Sequence, residues 1–283
     1  MSSADTDHLS QPRQPVIEPG ELRATALRLL AESDAQIKAD STMALIHRWE
    51  AGELSLDGAA VLRSDAVIPG RPTRPTLVPP RALERRPMNT MAGRAALIHA
   101  LAHIEFNAIN LALDAVWRFP DMPLEFYADW LKVASEEALH FNLLNTHLSS
   151  LGFGYGDFNA HNSLWEMAEK TCEDVLARMA LVPRTLEARG LDATPAVRAK
   201  LAQAGDEAAA AILDIILRDE VGHVAIGNRW YGWLCQQQGA EPLSTYRALA
   251  RQHNAPVLKG PFNLEARRAA GFTEEELIAL NKD

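Results

Sequence analysis

Two short motifs constrain this chain most: Glu137-Ala-Leu-His140 and Glu220-Val-Gly-His223 each place a glutamate three residues before a histidine. Both motifs lie in segments rich in alanine, leucine and other apolar helix-forming residues. Because side chains three residues apart lie on one face of an α-helix, each motif can direct a carboxylate and an imidazole toward the same point. Two such motifs in one chain indicate a metal site that two helices share.

Each motif is also preceded by a glutamate at almost the same distance, which indicates two similar helix pairs. Glu105 lies 32 residues before Glu137, and Glu187 lies 33 residues before Glu220. Glu173 is an alternative to Glu187, because the two are two heptads apart on the same helix face and periodicity does not separate them. The matched spacing favours Glu187.

These residues are the ligands expected in a dinuclear carboxylate bundle, in which two helices each supply a glutamate and two others each supply Glu-x-x-His. Four carboxylates and two imidazoles suit iron or manganese, whereas without metal the buried carboxylates would repel one another. We therefore predict an all-α fold, a ferritin-like four-helix bundle with a long crossover, that binds two iron ions, with a mixed Mn/Fe pair as an alternative. The predicted ligands are Glu105, Glu137, His140, Glu187, Glu220 and His223.

Each ligand histidine needs a hydrogen-bond acceptor for its second ring nitrogen. Glu136 and Asp219 each directly precede a motif glutamate, so each lies beside the predicted centre. We expect a crossed arrangement in which Asp219 pairs with His140 and Glu136 pairs with His223.

Proline and glycine mark the predicted connections between the bundle helices. The turn Phe119-Pro120-Asp121-Met122-Pro123 lies midway between the first two predicted carboxylate ligands, as an antiparallel hairpin requires. Gly152-Phe-Gly-Tyr-Gly156 interrupts the 47 residues from His140 to Glu187, where a ferritin-like fold has its long crossover. Since Pro195 follows Glu187 closely, we expect that helix to end or become distorted just past its glutamate.

The patterns of apolar, proline and capping residues divide the chain into four predicted parts. The segment from Glu21 to Trp49 has a helical apolar pattern, and Thr273 with Glu276 forms a capping box for a short final helix. In chain order we predict a disordered tail (1–20), a helical segment with a Pro/Arg-rich strap (21–90), the di-metal bundle (91–240) and a helical C-terminal cover (241–283).

The strap begins with Pro69-Gly-Arg-Pro-Thr-Arg-Pro75, whose prolines exclude a regular helix or a central strand. We interpret it as an extended segment that packs over the bundle. A contact with RNA or another anion through its arginines is the less favoured alternative. These arginines are Arg71, Arg74, Arg81, Arg85 and Arg86.

Charge and cysteine content narrow the classes of function. The formal net charge of −9 argues against general binding of nucleic acid. Cys172 and Cys235 provide no disulfide framework and suit a reducing compartment. No segment has the pattern of a signal peptide or approaches the roughly 18 uninterrupted apolar residues of a membrane span. We predict a cytoplasmic protein without membrane association.

Four further motifs are His103-Ile-Glu105, Glu187-Ala-Arg-Gly-Leu-Asp192, Asp219-Glu-Val-Gly-His223 and Pro261-Phe-Asn263. With these motifs the chain resembles the DUF455 family of the ferritin-like superfamily over most of its length, including the Pro-Gly-Arg-Pro arm. This resemblance implies a di-iron bundle but no particular substrate. Glu187-Ala-Arg189 is also similar to a ligand motif of the ferritin-like tRNA hydroxylases, although the Gly-Leu-Asp that follows departs from that family.

The resemblance to ferritin-like proteins implies an O2-dependent di-iron oxidoreductase of the hydroxylase or oxygenase type. Its expected partners are a small organic substrate, O2 and an external electron donor, and oligomeric assembly is left open. The crossover, strap and cover favour this function because together they suggest an enclosed substrate pocket. The alternatives are a ferroxidase or iron-handling protein and a non-catalytic helical binding module.

Overall fold

The computed structural model describes residues 20–280, and the predicted all-α fold is confirmed: over this range the chain forms helices and only isolated β-bridges. The predicted disordered tail lies outside the described residues apart from Gly20. A π-helical segment, Val182–Glu187, joins two of the helices. The α-helices are α1 (Leu22–Leu30), α2 (Ala35–Glu50), α3 (Met91–Arg118), α4 (Leu124–Ser150), α5 (Ser163–Lys170), α6 (Val175–Leu181), α7 (Ala188–Gln203), α8 (Glu207–Gln237), α9 (Pro242–Gln252), α10 (Leu264–Ala269) and α11 (Glu274–Leu280).

Four long helical stretches form the bundle: α3, α4, α8 and the stretch from α6 through the π-helical segment to α7. Helices α3 and α4 form a hairpin with its turn at residues 119–123, as predicted, and Asp121 adopts a positive φ of 58° there. The Tyr127 hydroxyl donates to the Phe119 carbonyl at 2.9 Å and so ties the start of α4 to the turn. The two helices therefore run antiparallel, with their buried faces in contact along their length.

Helix α3 is long and apolar enough to cross a membrane by length and composition. However, 72% of the most apolar 18-residue stretch of this helix is buried inside the protein. Thr90 caps its first turn by accepting from the Gly93 amide at 3.0 Å. Helix α3 therefore lies in the core of the bundle.

The crossover between the second and third bundle helices is residues 151–174, and it includes α5. It is fixed to α3 by two buried histidines: His99 Nε2 accepts from the Gly156 amide at 2.9 Å, and His103 Nδ1 lies 2.8 Å from the Tyr155 hydroxyl. Burial lowers the pKa of His99 to about 4 and that of His103 to about 3, so both rings are neutral at physiological pH. They act as packing and hydrogen-bonding groups of the crossover.

A buried ion cluster fixes the start of the third bundle helix. Asp114 on α3 pairs with Arg118 one turn later and with Arg178 on α6. Arg178 also donates to Thr171 Oγ1 at 2.9 Å and to the Ala168 carbonyl at 2.6 Å. Asp114 thus links α3 to the end of the crossover and to the helix that leads into the π-helical segment.

The N-terminal part forms two helices rather than the single segment that the sequence pattern suggests. Helix α1 packs on α3, and α2 packs on α4 after a break at residues 31–34. Lys38 is completely buried, and its ammonium donates to the carbonyls of Leu30 and Gly70 and to Asn110 Oδ1, at 2.5 to 3.0 Å. One lysine thereby ties α1, the strap and α3 together.

The strap, residues 69–87, has no regular helix beyond a short 3-10 turn at Pro80–Ala82. It pairs with the crossover, since the Val78 amide donates to Ala160 and the Ala160 amide donates to Thr76. Arg71 donates to Asn162 Oδ1 at 2.6 Å. The strap therefore lies against the crossover as an extended segment.

The C-terminal cover packs on the other side of the bundle. Helix α9 contacts α6 and α8, and α10 contacts α7 and α8. The predicted capping box of α11 is confirmed: the Thr273 amide donates to Glu276 Oε2, and the Glu276 amide donates to Thr273 Oγ1. A small apolar cluster holds the cover in place, and its buried members are Ala188, Leu191, Val224, Ala270, Phe272 and Leu277.

We predict that Asp114→Asn lowers the free energy of unfolding by about 3 kcal/mol at pH 7, because the buried Arg178 and the partly buried Arg118 lose their carboxylate. Arg178 and Arg118 outweigh the effect of burial and hold the pKa of Asp114 below its ordinary value of 3.8. The stabilisation is therefore present above pH 3.8 and is lost as the pH falls through the lower folded-state pKa. Urea unfolding of both proteins at several pH values measures the difference.

Asp214→Asn is the matched control, because Asp214 pairs with Arg198 on the exposed surface of the same protein. It should change stability much less. Equal losses of unfolding free energy in the two variants would show that the buried cluster stabilises the fold no more than a surface ion pair does.

Candidate metal centre

The predicted ligands come together in the interior of the bundle. Glu105 lies on α3, Glu137 and His140 lie on α4, and Glu220 lies on α8, all on buried helix faces. Each of these four residues offers one ligand atom, and the four atoms lie within 4.8 Å of one another. This spacing is small enough for one metal ion to be bound by several of them.

His223 and Glu187 extend this cluster. His223 Nδ1 lies 3.0 Å from Glu137 Oε1 and 3.8 Å from Glu220 Oε1, and its ring centroid is 5.8 Å from that of His140. The buried carboxylate of Glu187 has its pKa raised by burial and by the nearby carboxylates of Glu220 and Glu137. Short distances thus join five of the six predicted ligands, and Glu187 lies near enough to Glu220 and Glu137 for their charges to raise its pKa.

Glu173, the alternative to Glu187, does not reach this cluster. Its side chain is exposed in the loop that precedes α6, where it lies beside Cys172. The heptad spacing between the two glutamates would require a continuous helix from residue 173 to residue 187. The helix instead begins at Val175, so the shared helix face does not exist.

The carboxylate oxygens and imidazole nitrogens of the cluster are buried, and several of them have no hydrogen-bond partner among the described residues. Such atoms cost free energy unless an ion or water satisfies them, and carboxylate oxygens with imidazole nitrogens are the donors that iron and manganese prefer. The residues therefore fit a metal centre. The buried atoms without a partner are Glu105 Oε2, Glu137 Oε1 and Oε2, His140 Nδ1, Glu187 Oε2, Glu220 Oε2 and His223 Nδ1.

Burial and close contact shift the pKa of these groups strongly. Burial, reinforced by Glu137, raises the pKa of Glu105 well above its ordinary value and also raises that of Glu220. Against burial, Glu105 and Glu137 raise the pKa of His140 to about 11, and Glu137 raises the pKa of His223 as well. The raised pKa values of these groups favour bound protons, with which a metal ion would compete.

Both histidines turn their Nε2 atoms away from the cluster toward a carboxylate. His140 Nε2 lies 3.2 Å from Asp219 Oδ2, and His223 Nε2 lies 3.0 Å from Glu136 Oε2. This is the crossed arrangement that we expected from the sequence. Such carboxylates fix ring orientation and increase the basicity of the nitrogen that faces the metal.

The π-helical segment positions Glu187. We expected the helix to be distorted just past this residue, and that position was wrong. The distortion comes before Glu187, over Val182–Glu187, and α7 then continues to Gln203. Thr185 Oγ1 donates to the carbonyl of Ala180, five residues earlier, at 2.7 Å. Single π-helical turns occur frequently at functional sites. Pro183, one residue into this segment, is the sequence signal that could have located it.

Helix α7 passes through Pro195 because the cover compensates for the lost hydrogen bond. A proline inside a helix leaves the carbonyl four residues earlier without its donor, here Leu191. Asn263 Nδ2 donates to this carbonyl at 3.2 Å, and the Asn263 amide donates to Asp192 at 2.9 Å. The Pro261-Phe-Asn263 motif therefore stabilises the helix that follows Glu187.

Helix α8 approaches the π-helical segment closely at Gly227, four residues after His223. A Cβ atom at this glycine would lie 2.6 Å from Pro183 Cβ and 2.8 Å from Pro183 Cγ, which is too close. We predict that Gly227→Ala lowers the free energy of unfolding by about 1 to 3 kcal/mol. It should also weaken metal binding because it displaces the segment that carries Glu187, as measured by urea unfolding and by metal titration.

Gly232→Ala on the same helix is the control, because nothing lies within 4 Å of a Cβ atom there. It should stabilise the protein by up to about 1 kcal/mol through helix propensity. If both alanine variants are equally stable, the close approach at Gly227 does not constrain the fold.

A further prediction concerns the carboxylate that contacts His140. We expect Asp219→Ala to weaken metal binding by about 10- to 100-fold, since the imidazole loses the group that orients it. Competition with a chelator of known affinity measures this change. Asp214→Ala, an exposed carboxylate on the same helix, is the control and should retain the affinity of the wild type. Unchanged affinity in Asp219→Ala would contradict the orienting role.

Comparisons with known proteins agree with the motifs described above. The family model described as "Protein of unknown function (DUF455)" matches residues 31–278. A protein of Haemophilus influenzae (strain ATCC 51907 / DSM 11121 / KW20 / Rd), described as "Uncharacterized protein", is 53% identical over 213 residues, which cover 73% of this chain and 74% of the relative. No solved structure matches the chain. With a family match over most of its length, the chain belongs to the DUF455 family.

Proposed function

We propose that this protein is an O2-dependent di-iron oxidoreductase of the hydroxylase or oxygenase type, with a ferritin-like bundle. The observation that carries the proposal is the buried cluster of carboxylate oxygens and imidazole nitrogens that have no hydrogen-bond partner within residues 20–280. Six such side chains on four helical stretches are more than one ion requires, and the composition of the set suits a dinuclear iron centre. A mixed Mn/Fe pair would use the same ligands.

In this proposal Glu105, Glu137, His140, Glu187, Glu220 and His223 hold the two ions. Glu137 lies near both histidines, 3.0 Å from His223 Nδ1 and 3.5 Å from His140 Nδ1, so its carboxylate would hold metal together with either histidine. Two iron ions held here would supply redox chemistry toward O2.

The protein's own contribution is burial and charge. Glu137, His140 and His223 are completely buried, while Glu105 and Glu220 retain 4% and 8% exposure. Water is thus largely excluded from the reacting region, which strengthens each electrostatic interaction. The crossover, strap and cover enclose the bundle and would restrict access to O2 and a small organic substrate.

Insertion of one oxygen atom of O2 into a C–H bond leaves the other atom to be reduced to water. The reaction therefore needs an external electron donor. In our proposal the protein acts in the cytoplasm, where reductants are available and where its free cysteines, Cys172 and Cys235, are stable. The strap has a structural role in this proposal, because it is paired with the crossover and fixed by Lys38.

Metal analysis tests the proposal. Wild-type protein from iron- and manganese-supplemented cells should contain about two transition-metal ions per chain. Glu137→Ala and Glu220→Ala should each lose most of this metal, because each removes a central ligand. Glu173→Ala is the matched control, since this exposed glutamate was the alternative from sequence, and it should retain the metal. Inductively coupled plasma mass spectrometry provides the measurement.

Absence of metal from folded wild-type protein, even after anaerobic reconstitution with Fe(II), would contradict the proposal and favour a non-catalytic binding module. Measurement of O2 consumption distinguishes a hydroxylase or oxygenase from a ferroxidase. Continuous oxidation of excess Fe(II) by O2 without an organic substrate, together with assembly into cages, would indicate a ferroxidase instead of a hydroxylase.

A further inference from the structure

A cavity lies between α9, the segment that follows α9, and helices α10 and α11. Its volume is about 780 Å³, within the range of small-molecule sites. None of the six predicted metal ligands lines it. The cavity is therefore separate from the candidate metal centre and requires its own explanation.

The charge of the cavity is opposite to that of the protein. Four arginines line it, Arg184, Arg247, Arg251 and Arg267, whereas Glu276 is the only carboxylate in the lining among the described residues. The chain as a whole has a formal net charge of −9. A positively charged concave surface on an acidic protein attracts an anion selectively.

Two of these arginines are buried and have hydrogen-bonding capacity that the described residues do not satisfy. Arg184 is 6% exposed and pairs with Glu276, but its Nε has no acceptor among the described residues. Arg267 is completely buried and pairs with Asp192, yet its Nη1 likewise has no acceptor there. Unsatisfied buried donors are rare because each costs free energy, and a bound anion would offset that cost.

The remaining lining is largely apolar and includes Leu243, Val257, Leu258 and Phe272. Val257 is 70% exposed and contributes apolar surface to the lining. The guanidinium of Arg184 lies 5.0 Å from the centre of the Phe272 ring, so charge and apolar surface are adjacent. A fitting ligand would combine an anionic group with an apolar body.

We propose that this cavity binds a small amphipathic anion, a carboxylate, sulfonate or phosphate ester on an apolar or aromatic body. The anionic group lies among the arginines, and the body contacts Leu243, Val257 and Phe272. Binding does not depend on metal. Arg184 nevertheless lies three residues before Glu187 in the π-helical segment, so one short segment contributes to both sites.

The test uses a fluorescent pair of probes that differ by one charge. 8-Anilinonaphthalene-1-sulfonate has an aromatic body and a sulfonate, and N-phenyl-1-naphthylamine has the same body without it. We expect saturable binding of the sulfonate at about one site per chain, at least tenfold tighter than the neutral probe. Equal affinity for the two probes would overturn the proposal, because the arginines would then contribute nothing.

Two variants at exposed positions test the location without disturbing the core. Arg251→Glu reverses a charge in the lining and should weaken binding of the sulfonate about tenfold or more while leaving the neutral probe unaffected. Val257→Glu places a carboxylate in the apolar wall and should weaken binding of both probes. Arg81→Glu, an exposed arginine of the strap, is the matched control and should bind like the wild type.

Circular dichroism establishes that each variant is folded before titration. Wild-type affinity in both Arg251→Glu and Val257→Glu would overturn the proposed location. The same titration with Glu137→Ala and with chelator-treated wild type separates this cavity from the metal centre. Binding should persist in both, and its loss in both would place the probe at the metal centre and contradict the proposal.

Discussion

The burial of four carboxylates beside two imidazoles is the constraint on which the rest of this structure depends. Glu137 is completely buried between His140 and His223, and the carboxylates of Glu105 and Glu137 raise the pKa of His140 to about 11. Such an arrangement is costly, so it must be enforced by packing from every side. This packing comes from the hairpin of α3 and α4, from the π-helical segment and from α8.

The third bundle helix shows how packing holds one of these buried carboxylates in place. Its start is fixed by the pair between Arg178 and the buried Asp114, and its middle is a π-helical turn that packs against Gly227. Past Glu187 the helix contains Pro195, and Asn263 from the cover satisfies the carbonyl that the proline leaves unpaired. The C-terminal cover is thus part of the support of the candidate centre.

Much of the candidate site could be inferred from sequence because helical periodicity is local. The spacing of Glu137 and His140 places both on one helix face, whatever packs against it. Matched spacing also favoured Glu187 over Glu173, and in the structure the carboxylate of Glu187 is buried near Glu220 and Glu137, whereas Glu173 is exposed. The π-helical turn was missed because the choice between α- and π-helical bonding depends on a partner, here Gly227 of α8, that is 44 residues from Pro183.

The sequence by itself determined the helical class, the turn at residues 119–123, the capping box at Thr273 and the candidate ligands, since each follows from residues close together in the chain. Tertiary structure alone decided which atoms meet. It placed Nδ1 of both histidines toward the carboxylates, distorted the third helix before Glu187, and gathered arginines from α9, α10 and the π-helical segment around one cavity. Contacts between distant segments depend on packing and burial, which a local pattern does not contain.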